Sequence, residues 1–337
     1  MLLRIGIDNK NGNVWDISGI VTELSYQTTR WGKASVLEFT ILSGGPGIWN
    51  ENVGFTFQMG DIVSVRTDAG EAVFYGFIFT MESGSGEETK FTAYDQLRYL
   101  MNNYGYVLAD VTATQVVQQI AADFQLSIGN LADTKYVIPT LVEDNQKLMD
   151  IICKALTLTV HSTGELYVLY DDFGSLTLQD TRDRALDIVL GDTSLLYDFT
   201  IKRSIDDSAN SIILYRQNKE TGKREAYPRT DDDRIRSWGL LQQYEELNDE
   251  KMNKAQIEER LTTMLALKSR VMSTFQINAI GDIRVRAGVY IWINMAEIGV
   301  NLRPFLVNEC KHSFSGNEHT MRLELEGVLN DEFVGGS

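Results

Sequence analysis

Cysteine is nearly absent from this chain of 337 residues: Cys153 and Cys310 are the only two. At most one intrachain disulfide can form, which excludes a small disulfide-stapled scaffold and makes a reducing cytoplasm the simplest place of synthesis. Positive charge is also short. Lys and Arg total 31 against 47 Asp and Glu, a net charge of −16, and such a surface repels phosphate backbones and anionic lipid heads, so wrapping around DNA by charge attraction is excluded. Long apolar runs are missing too: Val289-Tyr-Ile-Trp-Ile293 is far shorter than the ~20 residues that cross a bilayer. Met1-Leu-Leu-Arg4 leads straight into an alternating pattern with no apolar signal-peptide core, so a soluble protein without a leader is expected.

What the chain does have is 43% hydrophobic residues, 27 glycines against four prolines, and 14 each of Tyr and Phe. That composition buries a real core and points to many turns between aromatic, twisted strands. Over the first ninety residues apolar positions recur with period two. Ile5 and Ile7 precede Asn11-Gly12, a hairpin signal, and Val14 and Ile17 resume the pattern. Leu37, Phe39 and Ile41 alternate with polar neighbours, and further strands are expected at Ile62–Arg66, Val73–Thr80 and Thr89–Ala93. Gly44–Gly47 and Ser83–Gly86 read as loops. The expectation is a small antiparallel barrel or sandwich.

The period then changes. Leu97, Leu100, Met101 and Tyr104 fall on one helical face, and Thr112 with Gln115 makes a capping box ahead of Val116, Val117, Ile120 and Phe124. Leu148, Ile151, Ile152, Ala155 and Leu156 form another helical face behind Asp144 or Asn145 as caps. Short strands are expected at Thr157–His161, Leu166–Tyr170 and Leu176–Leu178, so 95–190 reads as an α+β region. Strands return at Tyr197–Lys202 and Ile212–Arg216. A polar excursion follows, Gln217–Asp233, with a turn at Glu220-Thr-Gly222 and three aspartates at its end. A helix is then expected from about Asp249 to Lys268, lined by Ile257, Leu261, Met264 and Leu265, and the last sixty residues are strands ending at Thr320–Gly327. Gly335-Gly-Ser337 reads as a linker remnant.

Motifs for chemistry are sparse. Zinc needs about four ligands at short spacing, and the best cluster is Cys310, His312 and His319, with no CxxC or HExxH beside it; packing and hydrogen bonding are the expected roles. His161, the remaining histidine, sits in no nucleophile motif. Gly222-Lys223 has Gln217 where a phosphate loop needs glycine, and Gly84-x-Gly86 lacks a third glycine. Asp171-Asp172 and Asp231-Asp-Asp233 are the places to look for paired carboxylates, but neighbours on a strand point to opposite faces and charge runs are mostly solvated. No catalytic, cofactor-binding or metal residue is assigned. Charge is uneven: 171–198 is net −5 and 251–286 is net +4, as for faces that meet different surroundings.

One resemblance runs along nearly the whole chain. Phe91-Thr-Ala-Tyr-Asp95-Gln-Leu97-x-x-Leu100, Thr112-x-x-Gln115-Val-Val117-x-x-Ile120-Ala121, and Asp150-Ile-Ile152-x-x-Ala155-Leu156 with Thr163-Gly164 resemble, in order, segments of the XkdQ/YqbQ family of prophage proteins. Ala209-Asn210, Trp238-Gly-Leu-Leu-Gln242, Gly281-Asp282-x-Arg-x-Arg-x-Gly288 and His312 through His319-Thr-Met321 complete the pattern. That family is related to the hub proteins of contractile phage tails. The resemblance implies a mainly β chain with two tail-tube-like antiparallel β-barrel domains, 1–94 and 191–334, joined by an α+β domain at 95–190, the excursion 217–233 and the helix 249–268 being inserted in the second barrel. It implies no enzyme activity and no cofactor. It implies a homotrimer forming a pseudo-sixfold ring at the baseplate of a phage or bacteriocin-like particle. The partners would be the tail tube protein, the central spike and other baseplate proteins, with no membrane and with DNA at most passing through the lumen. A tail-associated cell-wall hydrolase would instead need converging carboxylates or a Cys-His pair, and a carbohydrate-binding tip protein an exposed aromatic platform.

Overall fold

The computed structural model describes residues 2–42, 57–191, 196–217, 223–247, 252–316 and 318–326. Gly44–Gly47, the Glu220–Gly222 turn, Asp249, Gly327 and Gly335–Ser337 lie outside them. The chain divides into two compact units, residues 1–200 with 275–337, and residues 201–274.

In the larger unit, the first stretch gives β1 (Leu3–Asp8), β2 (Val14–Asp16), β3 (Val21–Thr29), β4 (Val36–Leu42), β5 (Ile62–Thr67), β6 (Ala72–Ser83) and β7 (Glu88–Tyr94). Alternation decides what they bury. Leu37, Phe39 and Ile41 of β4 point inward with Tyr26, Val63, Val65 and Phe91, and the Phe39 and Phe91 rings stack at 4.9 Å. The next stretch holds a 3-10 turn at Gln96–Met101, then β8 (Asn103–Thr112), α1 (Ala113–Asp123), β9 (Ile128–Leu131), β10 (Val137–Lys147), α2 (Leu148–Thr163), β11 (Tyr167–Asp171), β12 (Leu176–Asp180) and β13 (Ala185–Gly191). The expected capping box is formed: Thr112 Oγ1 accepts from the Gln115 N–H, and Gln115 Oε1 accepts from the Thr112 N–H. Val116, Val117 and Ile120 of α1 meet Ile151, Ile152 and Ala155 of α2 in one core.

Three local expectations are corrected here. Tyr104 belongs to β8 and not to a helix, because the turn stops at Met101 and Asn103 begins an antiparallel ladder with β10. Thr157–His161 is helical, since α2 continues until Gly164, at φ 71°, closes it. Asp144 and Asn145 lie in β10 and cap nothing; Lys147 is the residue before α2, with no side-chain cap.

The chain goes on through β14 (Leu196–Ser204), β15 (Ser211–Gln217), β16 (Arg224–Thr230), α3 (Asp232–Trp238), β17 (Gln242–Glu246), α4 (Lys254–Lys268), β18 (Met272–Ile280), β19 (Tyr290–Met295), β20 (Val300–Ser315) and β21 (Glu318–Glu326). In the smaller unit β15 is central, antiparallel to β16 and parallel to β17. The strand expected at Ile212–Arg216 is therefore present, but its partners are β16 and β17, with β16 standing where a polar excursion was read. Ile212 and Leu214 pack on Ile257, Leu261 and Met264 of α4. That helix starts at a capping box between Asn253 and Gln256, five residues later than expected.

The large sheet has 13 strands, ordered β14-β18-β21-β20-β3-β4-β7-β6-β5-β1-β2, with β19 joining β13 to β20. Its seam is the antiparallel pairing of β20 with β3, from Glu309 opposite Thr29 to Ser315 opposite Glu23. Arg30 staples the same place: its N–H donates to the Asn308 carbonyl at 2.9 Å and its guanidinium pairs with Glu326 at 2.5 Å.

Candidate functional site

Close to the seam, three charged side chains from distant parts of the chain are gathered inside the larger unit. Asp95 follows β7, where its side chain caps the 3-10 turn. One oxygen accepts from the Leu97 N–H at 3.0 Å and the other from the Ser35 N–H at 3.1 Å. Asp171 ends β11, and its Oδ1 accepts from the Gly174 N–H at 2.7 Å in the turn to β12. Gly174 is at φ +90°, and a Cβ there would stand 2.8 Å from the Tyr75 ring, so only glycine fits. Arg286, between β18 and β19, donates from Nη2 to the Asp171 carbonyl at 2.9 Å, and its guanidinium lies 5.4 Å from the Tyr170 ring centre and 5.9 Å from that of Tyr26.

Two buried carboxyls and one guanidinium do not balance. Burial pushes Asp95 up to about 7, aided by the charge of Asp171 and opposed by Ser35 and Arg286. Burial likewise raises Asp171 to about 6, against the Gly174 N–H, Gln96 and Arg286. Burial opposes the charge on Arg286, but Tyr26, Tyr170, Asp95 and Asp171 more than restore it, so its pKa is raised overall. The arrangement can hold a proton near neutrality. It cannot serve a glycosidase, because Asp95 is 1% and Asp171 3% exposed and no sugar reaches them. Asp172, next along the chain, is exposed, so Asp171-Asp172 is not a convergent pair.

The other expected places resolve into structural roles. Asp231 is the N-cap of α3: it accepts from the Arg234 N–H at 3.1 Å and from the Ser269 hydroxyl at 2.7 Å. Asp232 and Asp233 occupy the first turn, where the helix dipole favours acids. Cys310, His312 and His319 do meet. The Cys310 Sγ lies 3.2 Å from His312 Nε2, which is also 2.8 Å from the Val285 carbonyl, and His312 Nδ1 faces His319 Nε2 at 2.9 Å. These contacts occupy both ring nitrogens of His312. No group of three or more His, Cys, Asp or Glu arranged to hold a metal exists among the described residues. His161 lies exposed in the last turn of α2.

A pocket lined by Trp31, Met149, Cys153 and Leu169 has room for about one water and not for an organic cofactor. Sequence reasoning missed two features. No spacing rule links Asp95, Asp171 and Arg286, and no motif marks Tyr215 and Tyr244, whose rings stack at 4.5 Å across β15 and β17 with Tyr244 48% exposed.

No helix among the described residues is long and apolar enough to cross a membrane. Residues 24–326 match the family model described as YQBQ-like. The chain is 33% identical over 275 residues to the phage-like element PBSX protein XkdQ of Bacillus subtilis, covering 80% of this chain and 82% of that one. Among solved structures, the tail protein of Neisseria meningitidis MC58 aligns with a TM-score of 0.69 at 14% identity, over 97% of both chains. The 43 kDa tail protein of prophage MuSo2 from Shewanella oneidensis aligns with a TM-score of 0.68 at 10% identity, over 96% of this chain and 98% of that one. The fold is that of phage tail proteins.

Proposed function

Taking as premise that the chain belongs to the YQBQ-like family, we propose that it is the baseplate hub of a contractile phage tail or phage-tail-like particle. Three copies form a pseudo-sixfold ring between the hexameric tail tube and the trimeric central spike, in contact with other baseplate proteins. In this reading residues 1–94 and 191–334 supply the two tube-like domains of each copy, and 95–190 connects them. The observation that carries it is the β20–β3 seam, which joins the early strands and the late strands in one continuous sheet. Two strand sets covalently and laterally fused within one chain are what a threefold body needs to meet a sixfold tube. The net charge of −16 supports an acidic lumen along which DNA slides without sticking.

The role is structural and not enzymatic. Its support is that, of the acids singled out for catalysis, Asp171 is buried while Asp172 is exposed and Asp231–Asp233 open a helix, and that the cysteine–histidine cluster is closed on itself. Reconstruction of assembled particles tests the proposal. Threefold density for this chain between tube and spike is expected; density at the periphery, or none, overturns it.

A further inference from the structure

The smaller unit presents a sheet face that nothing in its own fold covers. Strand alternation sends Ile212 and Leu214 toward α4 and therefore sends Ile213 and Tyr215 the other way. Across the ladder Ile213 faces Pro228 and Tyr244, and Tyr215 faces Ala226 and Glu246, whose carboxylate accepts from the Tyr215 hydroxyl at 3.4 Å. Ala226, Pro228 and Tyr244 are all exposed. The guanidinium of Arg224 lies 4.5 Å from the Tyr215 ring centre, on the strand opposite the one that brings Tyr244, and the two tyrosine rings stack within 19° of parallel. The result is a cation–aromatic ladder over three strands. Tyrosine and arginine on an apolar bed are the residue types that dominate protein interfaces. A sugar is the weaker candidate for this face, because the ladder spends ring faces on one another and on Arg224.

Charge selects the occupant. Residues 201–274 hold 14 Lys and Arg against 13 Asp and Glu, net +1, whereas the rest of the chain holds 17 against 34, net −17. Two larger units repel each other, and a smaller unit against a larger one is the pairing of two copies that escapes this penalty. Such a contact joins different surfaces on the two copies, so it repeats head to tail, and a threefold rotation between copies closes it into a ring. We propose that the Arg224–Tyr215–Tyr244 face docks on the acidic larger unit of a neighbouring copy of this chain. The inference rests on the ring assignment above and names the surface that makes the ring.

The test uses assembled particles in which a photo-crosslinking amino acid occupies position 244 or, in a second version, position 226. Irradiation is expected to give an adduct of two copies on a denaturing gel, with mass spectrometry placing the captured peptide within 1–200 or 275–337. The double variant Arg224→Glu, Pro228→Glu is expected to lower the yield of that adduct at least tenfold. A crosslink confined to one copy, one to the neighbour's 201–274, one to a different particle protein, or no adduct from either position overturns the inference. Density from the same particles separates the two claims. A threefold ring without the adduct removes only this face, and the adduct without a ring removes only the hub.

Discussion

His319 lies diagonally across the β20–β21 ladder from His312, and the two imidazoles share one hydrogen over 2.9 Å between His312 Nδ1 and His319 Nε2. Burial lowers both to about 4, and for His319 the neighbouring imidazole adds to the effect. Arg286 also disfavours charge on His312, while Asp282 favours it. The opposite displacement occurs at Asp95 and Asp171, raised by burial to about 7 and about 6.

These pairs oppose each other in stability. Between about pH 4 and 6 the unfolded chain carries charged histidines and charged aspartates, whereas the folded chain keeps both largely neutral. The histidines make stability fall as pH falls through this window; the aspartates make it fall as pH rises. Denaturant unfolding of the native sequence is expected to vary little across the window. Asp95→Asn should leave stability climbing with pH, and His319→Gln should leave it declining. A variant slope of the other sign refutes the assignment.

Arg286→Met removes the cation that acts on both Asp95 and Asp171, leaving Arg184 over the Tyr170 ring. Leaving buried acids without their partner costs about 3–5 kcal/mol. The loss should be larger at pH 8, where the carboxyls must ionise or bind protons against the solution, than at pH 5. Denaturation midpoints at the two pH values check this.

Gly191 lies opposite Asn294 in the β13–β19 pairing, and a Cβ there would stand 1.9 Å from the Asn294 carbonyl oxygen. Gly191→Ala is expected to cost at least about 2 kcal/mol by overpacking. Gly19→Ala, with nothing within 4 Å of the added carbon, should be neutral or slightly stabilising, by under about 1 kcal/mol. Thermal melts of the two variants give the comparison.

Purified protein should leave peptidoglycan intact, and chelation with EDTA should leave its melting temperature unchanged. Turnover that disappears on Asp171→Asn or Asp232→Asn would establish a hydrolase instead.

Local signals in the sequence were good guides where a residue's task is local. The Thr112–Gln115 box and the alternation of Leu37, Phe39 and Ile41 are each found as read. They concern contacts within four residues or one strand. Thr157–His161 misled because β-branched residues such as Thr157, Thr159 and Val160 suit a strand, while in the fold Thr157 and Thr159 bond back to the Cys153 and Ala155 carbonyls within α2. β3 and the β8–β10 ribbon were not read at all. In β10 the bulge between Glu143 and Gln146 breaks the alternation that marks a strand. The charged group at Asp95, Asp171 and Arg286 was out of reach for a different reason: its members are separated by most of the chain, and only the tertiary fold brings them together.

The seam between β3 and β20 also sets an order of events during synthesis. Ser25 waits for Ser313, its partner across the ladder, and at about 5–20 residues per second the interval is roughly 15–60 s. Throughout it the early strands present a bare edge on β3, the kind of template that recruits strands from other chains. A strand made late thus shields one made early, and a ribosome that stops short of β20 releases a sheet still open to its neighbours.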